Sequence, residues 1–213
     1  MNNDLSTSPA SKTWSSKNQG SPAIWLQAAY ELIIEQGVDA VKIMTLAKRL
    51  RMTRTSFYWH FADREALLQA IITRWEAQNT GNLIRQTQKP AGNICQAILN
   101  VFDCWLDDAL FDAPLDLAIR NWARNDSALQ ARLDTADARR LAALAGLFTR
   151  FGYSALQAEV RSKTVLYTQI GYIYMQVLDA PDKRLAMIAD YVQVFTGVAP
   201  SISEIEAFVA RHS

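Results

Sequence analysis

The stretch IMTLAKRLRMTRTSFYWHFADREALL, residues 43–68, decides the fold. Ile43, Leu46, Ala47 and Leu50 recur at a spacing that closes one side of a short helix over about 43–50. Thr53 stands where a second helix needs a cap, and that helix runs to about His60. Phe57 and Phe61, four apart, turn inward over Met52, which leaves Arg54, Thr55, Tyr58 and Trp59 facing outward. Asp63 caps the following helix, DREALLQAIITRWEAQNT, whose Leu67, Ile71 and Trp75 share one side. Two short helices joined by a tight connection, the second polar and basic on its outer face, form the pattern of a helix-turn-helix. In that unit the first helix braces the second.

Charge concentrates in the same place. The whole chain of 213 residues carries a net charge of only +1. Between Lys42 and Arg64, however, stand six basic residues and one acid, whereas residues 82–213 hold 13 basic and 14 acidic side chains. A short positive stretch on a near-neutral background is the electrostatic footprint expected of a protein that meets a polyanion.

These residue types also suit the edges of a duplex. The Arg54 fork matches guanine edges or a phosphate. Thr55 and Ser56 are short enough for close backbone approach. Thr53 brings a hydroxyl to the helix start, where free amides favour an anion. Tyr58 and His60 reach farther and suit phosphate contacts, and Trp59 is an outward aromatic that either contacts the duplex or lies against the next helix. Lys48 and Arg64 flank the unit on either side.

Outward from this stretch the chain reads as helix throughout, so the fold class is all-α. Ser21 and Pro22 open a first helix through Trp25, Ala29, Leu32 and Ile33, and Gly37 closes it. After Lys89-Pro90 a helix to about Leu110 is apolar on most sides, and Asp112 with Pro114 starts another. Ser127 with Gln130 and Ser154 with Gln157 carry the spacing of capping boxes. They open long helices, the first closed by Gly152 and the second reaching about Leu178. Pro181 precedes a further helix that ends at Gly197, and SISEIEAFVARHS supplies a short last one. The domain division is a basic-tinged arm over 1–20, a head over 21–66, a connecting helix over 63–79 and a helical body over 80–213.

Composition removes several classes. No apolar run reaches the length of a membrane span, and the polar start lacks an apolar signal core, so the expected setting is cytoplasmic. Cys95 and Cys104, nine apart in one apolar segment, read as reduced core residues. The only histidines are His60 and His212. There is no glycine-rich phosphate loop, no HExxH and no close cysteine pair, so neither catalysis nor a metal or other cofactor is expected. The series Asp103, Asp107, Asp108, Asp112 and Asp116 reads as solvated, and Asp137 with Arg140 as a structural pair.

WLQAAYELIIEQG at 25–37 followed by IMTLAKRLRMTRTSFYWHFADREALL at 43–68 resembles the TetR family of bacterial transcriptional regulators. A weaker likeness to part of the family runs through IRNWARND at 119–126 and LFTRFGYSALQAE at 147–159. The resemblance implies that the short third helix enters the major groove. Base-edge or phosphate roles fall to Arg54, Thr55 and Ser56, and phosphate roles to Tyr58 and His60, with Arg64 keeping the charge of the family's usual lysine. Three positions depart from the pattern: Lys42 replaces a capping threonine, Arg51 a turn glycine and Thr55 a glycine inside the third helix.

The resemblance further implies a homodimer on a palindromic double-stranded DNA operator, acting as a repressor released by a small inducer. The alternative reading is an all-helical protein-interaction module without DNA binding. One reading helix touches few base pairs, so two-fold pairing is physically sensible. Gly171, Leu185, Ile188, Tyr191, Val192 and Phe195 are the candidate seam. Phe102, Trp105, Trp122, Phe148, Phe151, Tyr167 and Tyr174 are the candidate walls of a pocket for an apolar or aromatic inducer.

Overall fold

The computed structural model describes residues 21–212, so the expected arm over 1–20 lies outside the described residues. Helix α1 spans Pro22–Gln36, followed by a single 3-10 turn, Val38–Ala40. Helices α2 (Ile43–Leu50), α3 (Arg54–Tyr58) and α4 (Arg64–Trp75) complete the head. A wide π turn, Glu76–Gly81, leads without a break into α5 (Asn82–Gln88). The body continues with α6 (Ile94–Leu106), α7 (Ala113–Ala123), α8 (Ser127–Arg150) and α9 (Ala155–Tyr174). Helices α10 (Pro181–Ala186), α11 (Ile188–Thr196) and α12 (Ile202–Ala210) close the chain. No strand occurs among the described residues.

Local chemistry sets most of these boundaries. Asp63, Asn93, Asp112, Ser154 and Ser201 each accept a backbone N–H at the start of a helix. The reciprocal box of Ser154 with Gln157 is formed. Gly37 adopts φ 83°, a region open to glycine at little cost, and its N–H reaches the Ile33 carbonyl at 2.9 Å. Two expectations are corrected. Helix α8 is capped by Asp126, which accepts the Leu129 N–H, so Ser127 is its first helical residue and Gln130 instead donates to Asp134. Ser21 stands at the head of α1 without a side-chain cap bond.

The helix expected over 63–79 extends to Gln88, with the π turn inside it. Its cause is visible in the buried polar groups of the turn. Asn79 donates to the Asp112 carbonyl at 3.0 Å and accepts the Asp112 N–H at 2.9 Å. Thr80 accepts from Arg140 Nε at 2.9 Å. An α-helical register carries fewer residues per turn, and the widened turn brings both side chains against α7 and α8.

The apolar side chains divide into two clusters, and the division does not follow chain order. One joins α1–α4 to Leu115, Ile119 and Ala123 of α7 and to Leu129, Leu133 and Ala136 in the first half of α8. The other joins α5 and α6 to Leu144, Leu147 and Phe148 in the second half of α8, with α9, α11 and α12. Helix α8 therefore belongs to both.

A polar seam runs between them. Asp116 is fully buried and accepts from Trp75 Nε1 at 2.8 Å, Arg120 Nε at 2.7 Å and Arg140 Nη2 at 3.1 Å. Arg120 also forms a two-pronged pair with Asp137 at 2.8 Å on each prong, and Arg140 reaches Asp137 at 3.2 Å. Burial pushes the Asp116 carboxyl upward, but the Arg140 and Arg120 guanidiniums override it and hold the group below the usual carboxylate range. A charge removed from water this completely persists only where such partners surround it. The Asp137–Arg140 pair is thus as expected. The solvated reading of the acidic series is overturned for Asp103, Asp112 and Asp116, all of which are buried. Asp116 is drawn in by two guanidiniums and Asp112 by its capping bond to Leu115.

Candidate nucleic-acid interface and effector cleft

The head is built to hold α3 at the surface. Phe57 is fully buried, with its ring 5.2 Å from Trp25 in an edge-on contact and 5.6 Å from Phe61. Full burial of such a ring stabilises by roughly 2–3 kcal/mol, enough to fix a five-residue helix that would not persist alone. Thr53 accepts the Ser56 N–H at 3.2 Å and sets the start. With the Ser56–Phe57 and Phe61 side inward, the other side is open: Thr53, Arg54 and Thr55 are exposed, as are Tyr58 (49%) and Trp59 (75%).

The expected set does not come together whole. Lys48 is exposed on α2 and forms no ion pair among the described residues, and the same holds for Arg54. Ser56 is buried and its hydroxyl donates to the Thr53 carbonyl at 2.8 Å, so a short side chain here serves the helix and does not face outward. His60 has its Nε2 buried without a partner among the described residues. Arg64 spends its guanidinium on the Val41 and Val38 carbonyls, at 2.6 and 2.9 Å, and so ties α4 to the α1–α2 connection. Arg49, likewise, is held by Glu31 and Glu35 at 2.9 and 2.8 Å. Sequence spacing gave no sign of the Arg64 and Arg49 commitments, because each of their partners lies more than a dozen residues away.

Further exposed groups stand on α2 and in the turn that leads to α3. Lys42, Met44 (61% exposed) and Thr45 lie on the first turn of α2. Lys42 offers no side-chain cap, as its chemistry requires. Arg51 turns the chain between α2 and α3 in the left-handed region, at φ 54° and ψ 39°. Its side chain is exposed and forms no ion pair among the described residues. The signal for both was already present as the departures at 42 and 51.

The seven candidate pocket walls separate. Phe102 and Trp105 line a small pocket of about 40 Å³ between α6, α9 and α11, and Trp105 and Trp122 line a cleft of about 850 Å³ between the end of α1, α7 and the end of α9. Phe148 is fully buried core against Tyr153, and Phe151 packs on the rim of the same cluster beneath Arg150. Tyr167 (55%) and Tyr174 (47%) are exposed, and the Tyr174 hydroxyl accepts from Arg124 at 2.9 Å. Periodicity marks an apolar face but does not separate core from cavity.

The candidate seam is also corrected. Ile188, Val192 and Phe195 are buried within the chain's own second cluster, and Leu185 and Tyr191 pack against it, because α11 lies on α6. Gly171 is different: the space beyond it is open. On the outer side of α9 a stripe of exposed apolar residues runs through Leu156, Val160, Tyr167 and Tyr174 at helical spacing. On α8, packed beside it, Ala142 and Gly146 are exposed.

No described helix is long and apolar enough to cross a membrane. Cys95 and Cys104 are buried free thiols, and burial pushes the Cys104 thiol up to about 12.

The described chain is a helix-turn-helix head on an all-helical body. The profile described as "Bacterial regulatory proteins, tetR family" matches residues 26–71, the head and the start of α4. Over 58 residues, 27% of either chain, it is 38% identical to the "Tetracycline repressor protein class A from transposon 1721" of Escherichia coli. Over 46 residues, 22% of either chain, it is 39% identical to the "Tetracycline repressor protein class G" of Vibrio anguillarum. These matches span about a quarter of each relative's length. The fold extends further: Salmonella enterica GusR superposes with TM-score 0.57 at 16% identity, covering 90% of this chain and 92% of that one. A transcriptional regulator from Rhodococcus sp. Rha1 superposes with TM-score 0.56 at 17% identity, covering 90% and 97%.

Proposed function

We propose that the protein is a dimeric regulator of transcription that reads a palindromic DNA duplex through α3 and is released from it by a small molecule. The observation that carries this reading is the outer face of α3, where Arg54, Thr55, Tyr58 and Trp59 stand exposed over a buried aromatic anchor. Arg54 supplies a fork for base edges. Tyr58 and Trp59 supply reach and stacking surface. Lys42, Lys48 and Arg51 supply unpaired charge beside them. The two curated relatives are named as repressors, which supports the same sign of regulation here.

Pairing falls to the outer side of α8 and α9. The stripe from Leu156 to Tyr174, with open space beyond Gly146 and Gly171, suits close approach of a second copy and the formation of a four-helix contact. The domain division proposed is a head over 21–66, a connecting helix leading out of it, and a body that carries both the seam and the effector cleft.

The test is duplex selection followed by fluorescence anisotropy across a salt series. Affinity for the selected site is expected to fall by roughly three to five orders of magnitude between 50 and 200 mM salt, as six to ten phosphate contacts release counterions. Tyr58→Ala is expected to weaken binding about tenfold or more while light scattering still reports a dimer. Indifference to every duplex at low salt would leave the protein-interaction reading in its place.

A further inference from the structure

The large cleft and the small pocket share four lining side chains: Trp105, Gln169, Tyr172 and Arg184. Their chemistry is one-sided. Trp105 Nε1 is buried and has no hydrogen-bond partner among the described residues. Arg184 donates to the Trp105 carbonyl at 2.5 Å and lies 6.0 Å from the Tyr172 ring centre, but it forms no ion pair among the described residues. The Tyr172 hydroxyl is already committed to the Asp179 carboxylate. The junction therefore offers an indole N–H, a guanidinium and the Gln169 amide, and none of its four side chains is acidic.

The Trp105 indole N–H is a buried donor without a partner among the described residues, which is costly unless an acceptor is supplied, while the half-buried Arg184 keeps its carbonyl bond and lies in the field of Asp179. The cleft that opens from this junction has mixed walls, with an apolar part formed by Ile33 and Val38 on the head side and Leu117 and Trp122 on α7. Its acids lie elsewhere on the lining: Asp126 accepts the Leu129 N–H, while Asp39 and Asp108 are exposed.

We propose that the junction of Trp105 and Arg184 binds the carboxylate of an apolar organic acid whose hydrocarbon part lies in the cleft between α1, α7 and α9. The guanidinium supplies a charge-assisted bond and the indole N–H a second, directional one. A neutral isostere forfeits the first, and an ammonium is repelled by it. The cleft touches α1 and α7, which share the head's core, and α9, which belongs to the body's. An occupant bridging them binds one head–body spacing better than another, and that difference is what regulation requires. The regulatory sense rests on the function proposed above; the binding itself does not.

The experiment is calorimetric titration of the full chain at neutral pH with three probes of one shape: 2-naphthoate, 2-naphthamide and 2-naphthylmethylammonium. Naphthoate is expected to bind about tenfold or more tighter than the amide, and to raise the melting temperature. Arg184→Gln removes the preference for the acid. Trp105→Phe, which removes the N–H together with part of the ring, lowers naphthoate affinity severalfold and lowers the amide's by less. Equal affinity for acid and amide, preference for the ammonium, or no heat from any probe would overturn the proposal. The duplex arm is separate. Naphthoate binding that leaves operator affinity unchanged upholds the site and counts against the release mechanism.

Discussion

Arg51 illustrates how much one residue records. The turn between α2 and α3 takes a left-handed backbone, where glycine is the least strained residue, and an arginine stands there. A branched-out side chain at φ 54° costs on the order of 1 kcal/mol or more. Arg51→Gly is therefore expected to raise the melting temperature by about 2–4 °C, partly offset by the looser unfolded chain. The same substitution lowers duplex affinity if the guanidinium contacts phosphate, so stability and binding move in opposite directions. A denaturation curve beside an anisotropy titration reads both, and a fall in stability would show that the turn is relaxed around arginine. The departure itself was legible in the sequence, as were the Thr53 cap and the inward Phe57 and Phe61. The positions of Ser56, His60 and Arg64 were not. Residue type suggested contact with a duplex, but a hydroxyl or guanidinium bonds the nearest carbonyl first, and the relevant carbonyls are set by folding.

Among the elements, α9 carries the clearest expectation. Leu156 and Val160 are 70% and 54% exposed and head a stripe that ends at Tyr174. Placing a charge there leaves the chain's own core untouched but opposes burial against a second copy. The double substitution Leu156→Glu with Val160→Glu is expected to halve the mass seen by light scattering without lowering helical content. An unchanged mass would move the seam elsewhere. Most helix starts followed from caps, prolines and glycines, since those signals act within a turn, but the one helix expected from Pro181 to Gly197 is two, α10 and α11, parted at Met187. The π turn did not follow from such signals. It arises because Asn79 and Thr80 find partners on α7 and α8, dozens of residues away. The α11 face was misread for a related reason: an apolar circumference says that a helix is covered, but not by which neighbour.

Across the whole molecule, the seam of Asp116, Arg120, Asp137 and Arg140 is the junction between two cores. Asp116 has its carboxyl held low in the folded chain, so its contribution to stability is present above the ordinary carboxylate range and is lost as pH falls below that range through the lower folded value. Asp116→Asn is expected to destabilise the protein by about 3 kcal/mol at neutral pH, because Arg140 and Arg120 lose a fully buried partner. The stability curves of the variant and the parent should converge in acid; a constant gap from neutral to acid pH would assign the loss to packing. Modular shuffling makes the arrangement practical. Anyone grafting this head onto a foreign body must carry α7 and the first half of α8 with it. Without Leu115, Ile119 and Leu133 the transplanted helices would expose the surface on which they were meant to close, and would reach their new host half dressed.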